Sequence, residues 1–307
     1  MEIVVENITK RFGHQKAVDA ISFNVKKGEV VGFWGPAGAG KSTTMKILAG
    51  ILSPDHGRVT FDNRALHEFP VKLKRNIGYM AEHNPVYEKM NVVDFLLLIG
   101  KLYSVTRRQA TARIANIMHL CGLEEDKHKN TGELSRGCRQ RLGVAQALVH
   151  DPNVLILDEP AAGLDPGQIV KIRNIIHAVR EEKTVIISSR LLAEIETTCE
   201  RVVVMEGGKI VDSKTLPELR DSPCMAPCLR VSIRGGEIRQ IKEALGSLPG
   251  VRRVAEIENQ CIELQCARES NVKPAIFDMC QQRGWYIAEL TPVPTCPEDV
   301  FRHATRN

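Results

Sequence analysis

No stretch of this sequence is apolar enough to cross a bilayer. The longest apolar run, Val92 to Ile99, is interrupted by Asp94 and falls far short of the roughly 20 residues a membrane helix needs. A leader peptide is not expected either, because a strand begins at Glu2-Ile3-Val4-Val5. Strong charge is missing too: a net charge of +5 is too mild to argue for nucleic acid and describes a solvated surface. The cysteines number nine, an odd count, and form no paired CxxC set. That points to reduced thiols in the cytosol rather than a disulfide framework. Six of the nine lie from Cys224 onward, with no histidine beside them before His303. Buried apolar thiols are therefore expected there rather than zinc ligands.

What remains is ordinary globular material, 43% hydrophobic and 26% charged over 307 residues, enough for a large domain with a smaller one beside it. Within it stands Gly35-Pro36-Ala37-Gly38-Ala39-Gly40-Lys41-Ser42-Thr43, which fits the GxxxxGK[ST] pattern. Val30–Trp34 before it reads as a buried strand and Thr44–Ala49 after it as a helix stopped by Gly50. In that context, glycines let backbone N–H groups converge on phosphate oxygens at a helix N-terminus. Lys41 supplies a point charge for the β- and γ-phosphates, and the Ser42 hydroxyl can ligate Mg²⁺. The pattern predicts a nucleoside triphosphate site.

Further along, Val154-Leu155-Ile156-Leu157 is a wholly apolar strand ending in Asp158-Glu159. Asp158 is placed to hold the metal and Glu159 to polarise a water aimed at the γ-phosphate. Residues 91–123 read as helical, with Asn91/Asp94 and Thr106/Gln109 resembling capping boxes. A second strand, Thr184–Ile187, ends in Ser188-Ser189-Arg190. Phe12, read as lying in the polar loop after the first strand, could stack on a base or fold onto the core. Beyond a linker at Pro223–Cys228, the order strand, helix, strand, strand, helix, strand predicts a small ferredoxin-like domain.

Taken in order, these motifs over residues 1–215 resemble the ATP-binding subunit of an ABC transporter, and within that family the bacterial group that pairs with ABC-2-type permeases, including gliding-motility and multidrug-export members. Gly35–Thr43 matches Walker A, Val154–Glu159 Walker B, Leu134-Ser135-Arg136-Gly137-Cys138 the signature and Ala162-Gly163-Leu164-Asp165 the D-loop. Glu289–Val293 and Glu298-Asp299-Val300-Phe301 at the end carry the flavour of that group. The resemblance implies an α/β P-loop core with an antiparallel β subdomain and a helical insertion at about residues 85–135. It would occupy residues 1–220, with an accessory α+β domain over 221–307.

The resemblance also implies ATP and Mg²⁺ as ligands, base stacking by Phe12, and a homodimer or heterodimer in which Ser135 and Gly137 reach the partner's γ-phosphate. An integral membrane permease would be met through the helical insertion and the Glu82–Tyr87 loop, placing the chain on the cytoplasmic face of the inner membrane. Three departures stand out. The signature carries Arg136 and Cys138 in place of glycine and glutamine. Glu82 stands where the family has a glutamine; it can ligate Mg²⁺ but cannot donate as an amide does. Arg190 stands at the switch-histidine position and can accept neither a proton nor a hydrogen bond. No other histidine lies between His177 and His303. Slow hydrolysis is the expectation, with Glu82 close enough to Arg190 to pair with it. The alternatives are a soluble non-transport ABC ATPase or an ATP-binding regulatory subunit.

Overall fold

The computed structural model describes residues 1–68, 70–221, 228–257, 261–267 and 270–293. The linker at Pro223–Pro227, Cys296 and the closing Glu298–Phe301 stretch lie outside the described residues. The chain divides into two compact units, Met1–Leu216 and Pro217–Asn307.

The first unit stacks two sheets. One is antiparallel: β1 (Ile3–Phe12), β2 (Gln15–Val25), β4 (His56–Phe61) and β5 (Arg64–Ala65), in the order β2-β1-β4-β5. The other combines β3 (Val30–Trp34), β6 (Ile77–Met80), β7 (Val154–Asp158), β8 (Thr184–Ser189), β9 (Arg201–Glu206) and β10 (Lys209–Thr215), in the order β10-β9-β3-β8-β7-β6. The five strands from β9 to β6 run parallel and β10 closes the edge antiparallel. β3, β7 and β8 are buried along their whole lengths, as unbroken apolar strands must be when both faces are covered.

Helix α1 (Lys41–Leu48) starts inside the glycine motif, and its Met45, Ile47 and Leu48 are fully buried in the core shared by the two sheets. An edge-to-face pair, Phe23 against Phe33 at 5.0 Å, joins β2 to β3. After the short α2 (Pro70–Lys74), the helical segment is α3 (Val92–Leu102) and α4 (Arg107–Cys121), and α5 (Arg136–Leu148) leads into β7. Ile114, Ile117, Met118 and Cys121 of α4 are buried together, the stripe their spacing predicts. α6 (Pro166–Val179) begins with Pro166 behind an Asp165 cap, α7 (Leu192–Thr198) follows, and α8 (Leu216–Asp221) starts at the last residue of the unit.

Three local readings change. Phe12 is the last residue of β1, paired with Gln15, rather than a loop residue. β4 begins at His56, although Pro54-Asp55-His56-Gly57 reads as a turn in the sequence. Asn91 caps α3 by accepting from Val93 N–H at 2.9 Å; the reciprocal capping box sits instead at Asn130 and Glu133.

The second unit runs β11 (Cys228–Arg234), α9 (Ile238–Gly246), β12 (Val251–Glu256), β13 (Cys261–Cys266), α10 (Val272–Arg283) and β14 (Tyr286–Val293). Its antiparallel sheet has the order β12-β13-β11-β14, the split βαβ arrangement of a ferredoxin-like domain. Alternate residues Leu229, Val231 and Ile233 of β11 and Ile262 and Leu264 of β13 meet Ile241, Leu245 and Ile276 of the helices in its core. The described cysteines, here and in the first unit, are free thiols. No helix among the described residues is long and apolar enough to cross a membrane.

Candidate functional site

The C-terminal ends of β3, β7 and β8 lie side by side, with Trp34 paired to Ser189 and Asp158 to Ser188. Ligands of open α/β sheets gather at such strand ends. Between β3 and α1 the chain makes its glycine turn. Gly40 caps α1 at φ +100°, a conformation open to glycine and strained for other residues. Lys41 Nζ donates to the carbonyls of Gly35 at 2.7 Å and Pro36 at 3.0 Å, and lies 3.4 Å from Glu159 Oε1. Burial lowers the Lys41 ammonium pKa, and the Glu159 charge opposes that shift.

A cavity of about 250 Å³ opens over this turn. Phe12, Gln15, Ala17, the run Ala37–Thr43, Glu82, Glu159 and Arg190 line it. Phe12 is 55% exposed at its rim, free to offer a ring face to a base. Ser42 Oγ donates to Asp158 Oδ1 at 3.0 Å, and Ser188 Oγ donates to the same oxygen at 2.6 Å. Burial raises the Asp158 carboxyl above its ordinary value, with the two hydroxyl donors pulling the other way. A hydroxyl and a carboxylate at this spacing beside a phosphate cradle make the hard oxygen set that suits Mg²⁺.

Glu159 follows β7 with φ +49°, a left-handed backbone that costs a non-glycine residue about 1–3 kcal/mol. Its N–H donates to Ser188 Oγ at 2.8 Å, which helps to hold the turn. The carboxylate is 4% exposed as a residue and carries two cations, Lys41 and Arg190. Arg190 Nε donates to Glu159 Oε1 at 3.2 Å, and Arg190 Nη2 pairs with Glu82 Oε1. The expected neighbourhood of Glu82 and Arg190 is therefore present, and Glu159 joins it.

Ser135 and Gly137 stand apart from this cavity, at the start of α5. Ser135 is the N-cap, its hydroxyl accepting from Cys138 N–H at 3.2 Å. Sequence reasoning missed two members of the site. Ser188 ties Asp158 to the Glu159 turn; its place at the end of the Thr184–Ile187 strand was legible, but not that this strand lies beside Asp158. Trp34 is fully buried and its indole N–H donates to the Arg190 carbonyl at 3.1 Å. No spacing rule links two residues 156 positions apart.

A phosphate-cradling loop, an acidic strand end beside it and a parallel sheet beneath define a P-loop nucleoside triphosphatase. The family model described as ABC transporter matches residues 18–162. Over 216 residues the chain is 37% identical to an uncharacterised ABC transporter ATP-binding protein, YxlF, of Bacillus subtilis (strain 168), covering 70% of this chain and 72% of that one. It is 35% identical over 220 residues to the bacitracin transport ATP-binding protein BcrA of Bacillus licheniformis, covering 71% of each. Among solved structures, cbiO1 from Clostridium perfringens, part of the ABC transporter complex cbiONQ, superposes with a TM-score of 0.64 at 30% identity, over 71% of this chain and 89% of that one. The chain belongs to the ABC transporter family as an ATP-binding subunit, and its activity is ATP hydrolysis.

Proposed function

We propose that two ATP-binding chains, two copies of this one or one paired with a related subunit, close head to tail over two ATP molecules. That closure drives a separate ABC-2-type permease in the membrane. In this reading Phe12 stacks on the base, the Gly35–Thr43 loop and Lys41 hold the phosphates, and Ser135 and Gly137 of the facing subunit complete each site. Ser42 and Asp158 would hold Mg²⁺, with Glu82 within reach of it, and the ion would neutralise phosphate charge. Glu159 accepts the proton of the attacking water. The helical segment and the Glu82–Tyr87 loop meet the permease, and the chain works at the cytoplasmic face. The similarity to BcrA, a bacitracin transport ATP-binding protein, supports a transport role.

The observation that carries this reading is the convergence of Lys41, Glu159 and the glycine loop on one cavity. Glu159→Gln tests it. Loss of a general base costs about 10²–10⁴-fold in rate, so the variant should retain ATP and accumulate an ATP-bound dimer on size exclusion. Turnover equal to that of the unaltered chain would sink the role of Glu159. A second reading, a slowly hydrolysing subunit that mainly binds ATP, is favoured by the Arg190–Glu159 contact, because the proposed base is already engaged by a cation.

A further inference from the structure

The third signature residue is an arginine, and it does not point idly into solvent. Arg136 is the first residue of α5. Its Nη2 donates to the carbonyl of Ala162 at 2.8 Å. The guanidinium also lies close against the next residue: a Cβ placed on Gly163 would collide with its Nη2, Cζ and Nη1 atoms. Gly163 has φ +67°, so it is a glycine both for its backbone and for the arginine that covers it.

Ala162 and Gly163 belong to the turn that starts at Glu159. Ala162 N–H donates to the Glu159 carbonyl at 3.1 Å, so a pull on Ala162 acts on the Glu159 backbone, which already sits in a left-handed conformation. A second contact runs alongside. Arg141, one turn further along α5, donates to Gln168 Oε1 at 2.6 Å. The Gln168 side chain in turn packs over Gly137, where an added Cβ would meet its Oε1 at 2.7 Å. The start of α5 is thus fastened to the Glu159–Gly163 turn and to the start of α6 by arginine contacts.

We propose that Arg136 is a positioning residue that couples the two ATP sites of the sandwich. The proposal rests on the sandwich reading given above. In that arrangement Ser135 and Gly137 of one subunit engage the partner's ATP, whereas Glu159 of the same subunit serves its own. Arg136 lies between Ser135 and Gly137 in sequence and holds the turn of Glu159 in space. Docking of the partner's nucleotide onto α5 therefore transmits, through the Ala162 carbonyl, to the geometry of this subunit's Glu159. Arg136 need not touch ATP to act. A small displacement of a reacting group costs up to about 10²-fold in rate, so a single tether at this point can set turnover.

The test uses the full chain. In the Glu159→Gln background, Arg136→Ala should still form the ATP-dependent dimer on size exclusion, at ATP concentrations within about twofold, because Ser135 and Gly137 are kept. With Glu159 intact, Arg136→Ala should lower kcat about tenfold with KM within about twofold, and the Hill coefficient for ATP should fall to 1. Gly163→Ala displaces the guanidinium from the opposite side and should give the same split. Arg136→Lys, which can still donate to Ala162, should recover part of the lost rate. Unchanged kcat and Hill coefficient in Arg136→Ala and Gly163→Ala would overturn the coupling. Loss of the ATP dimer in Arg136→Ala would overturn it as well, showing a direct phosphate contact across the interface. If the Glu159→Gln chain itself stays monomeric with ATP, the sandwich is wrong and the coupling falls with it, an outcome readable before any Arg136 variant is made.

Discussion

Arg190 Nε sits 3.2 Å from Glu159 Oε1 while its outer nitrogen pairs with Glu82. One guanidinium thus holds both carboxylates that line the nucleotide cavity. Glu159 is almost fully buried and Arg190 is half exposed, so the inner contact is the one that water screens least. A guanidinium only donates, and a γ-phosphate entering this cavity would compete with Glu82 and Glu159 for it. That competition determines how the site responds to substitution.

Replacing Arg190 by histidine should speed hydrolysis several-fold. The imidazole can accept a hydrogen bond, and it leaves Glu159 without a permanent cation on its outer side. Arg190→Ala should weaken ATP binding about tenfold, because charge-assisted hydrogen bonds contribute about 1.5–3 kcal/mol. Steady-state kinetics and equilibrium binding separate the two effects. A steep fall in turnover for Arg190→His, with affinity unchanged, would show instead that Arg190 itself stabilises the transition state.

Glu82 should behave as the competitor of phosphate for Arg190. Glu82→Gln removes the outer carboxylate and restores an amide donor, so ATP affinity should rise a few-fold while ADP affinity stays put. Combined with Arg190→Ala the gain should vanish, a non-additivity of the size contacting residues show, about 0.5–3 kcal/mol. Equal effects of Glu82→Gln in the two backgrounds would mean the pair is structurally present and energetically idle.

Much of this site was legible because its chemistry is local. The glycine loop, its flanking strand and helix, and the Asp158-Glu159 strand end are each read from fewer than a dozen consecutive residues. The ferredoxin-like reading of the second unit came from its element order of strand, helix, strand, strand, helix, strand, and Leu229, Val231 and Ile233 share its core with Ile262 and Leu264. What escaped were contacts that depend on which strands become neighbours. Ser188 meets Asp158 only because β7 and β8 pair in a particular register. Trp34 meets Arg190 and Arg136 meets Ala162 only after the sheet has closed. Phe12 was misplaced for a smaller reason: a tight hairpin lets β1 run on until Phe12 pairs with Gln15.

The glycine loop yields a prediction about backbone strain. A methyl group on Gly40 would meet the Ala17 carbonyl, and φ there is +100°. Gly40→Ala must therefore shift the start of α1, the cradle for phosphate. Strain of about 1–3 kcal/mol should lower the melting temperature by several degrees, and ATP affinity should fall by at least tenfold. A calorimetric titration with ATP giving the unaltered affinity would show that the loop rearranges freely on binding.

His150 sets an acid limit on stability that is independent of nucleotide. Its ring stacks on Tyr103 at 3.7 Å, and Nε2 lies 3.0 Å from the Ile77 carbonyl. Burial is the main cause that pushes its pKa down, from 6.5 to about 4; the Ile77 carbonyl and Asp151 oppose this, while Lys183 and Arg113 add to it. The folded value lies below the unfolded one, so the unfolded chain takes up the proton first. The contribution is therefore complete above pH 6.5 and drains away as pH falls toward 4. By pH 5 the loss amounts to about 2 kcal/mol, from 1.36 kcal/mol per pKa unit over the part of the shift then titrated. His150→Gln can still donate to Ile77 but does not titrate. It should cost stability at pH 7.5, where the stack on Tyr103 is lost, yet narrow the gap between pH 7.5 and pH 5 by that amount. Urea unfolding at the two pH values measures this directly. An unchanged gap would mean that His150 is already solvated in the folded chain and that other groups set the acid limit.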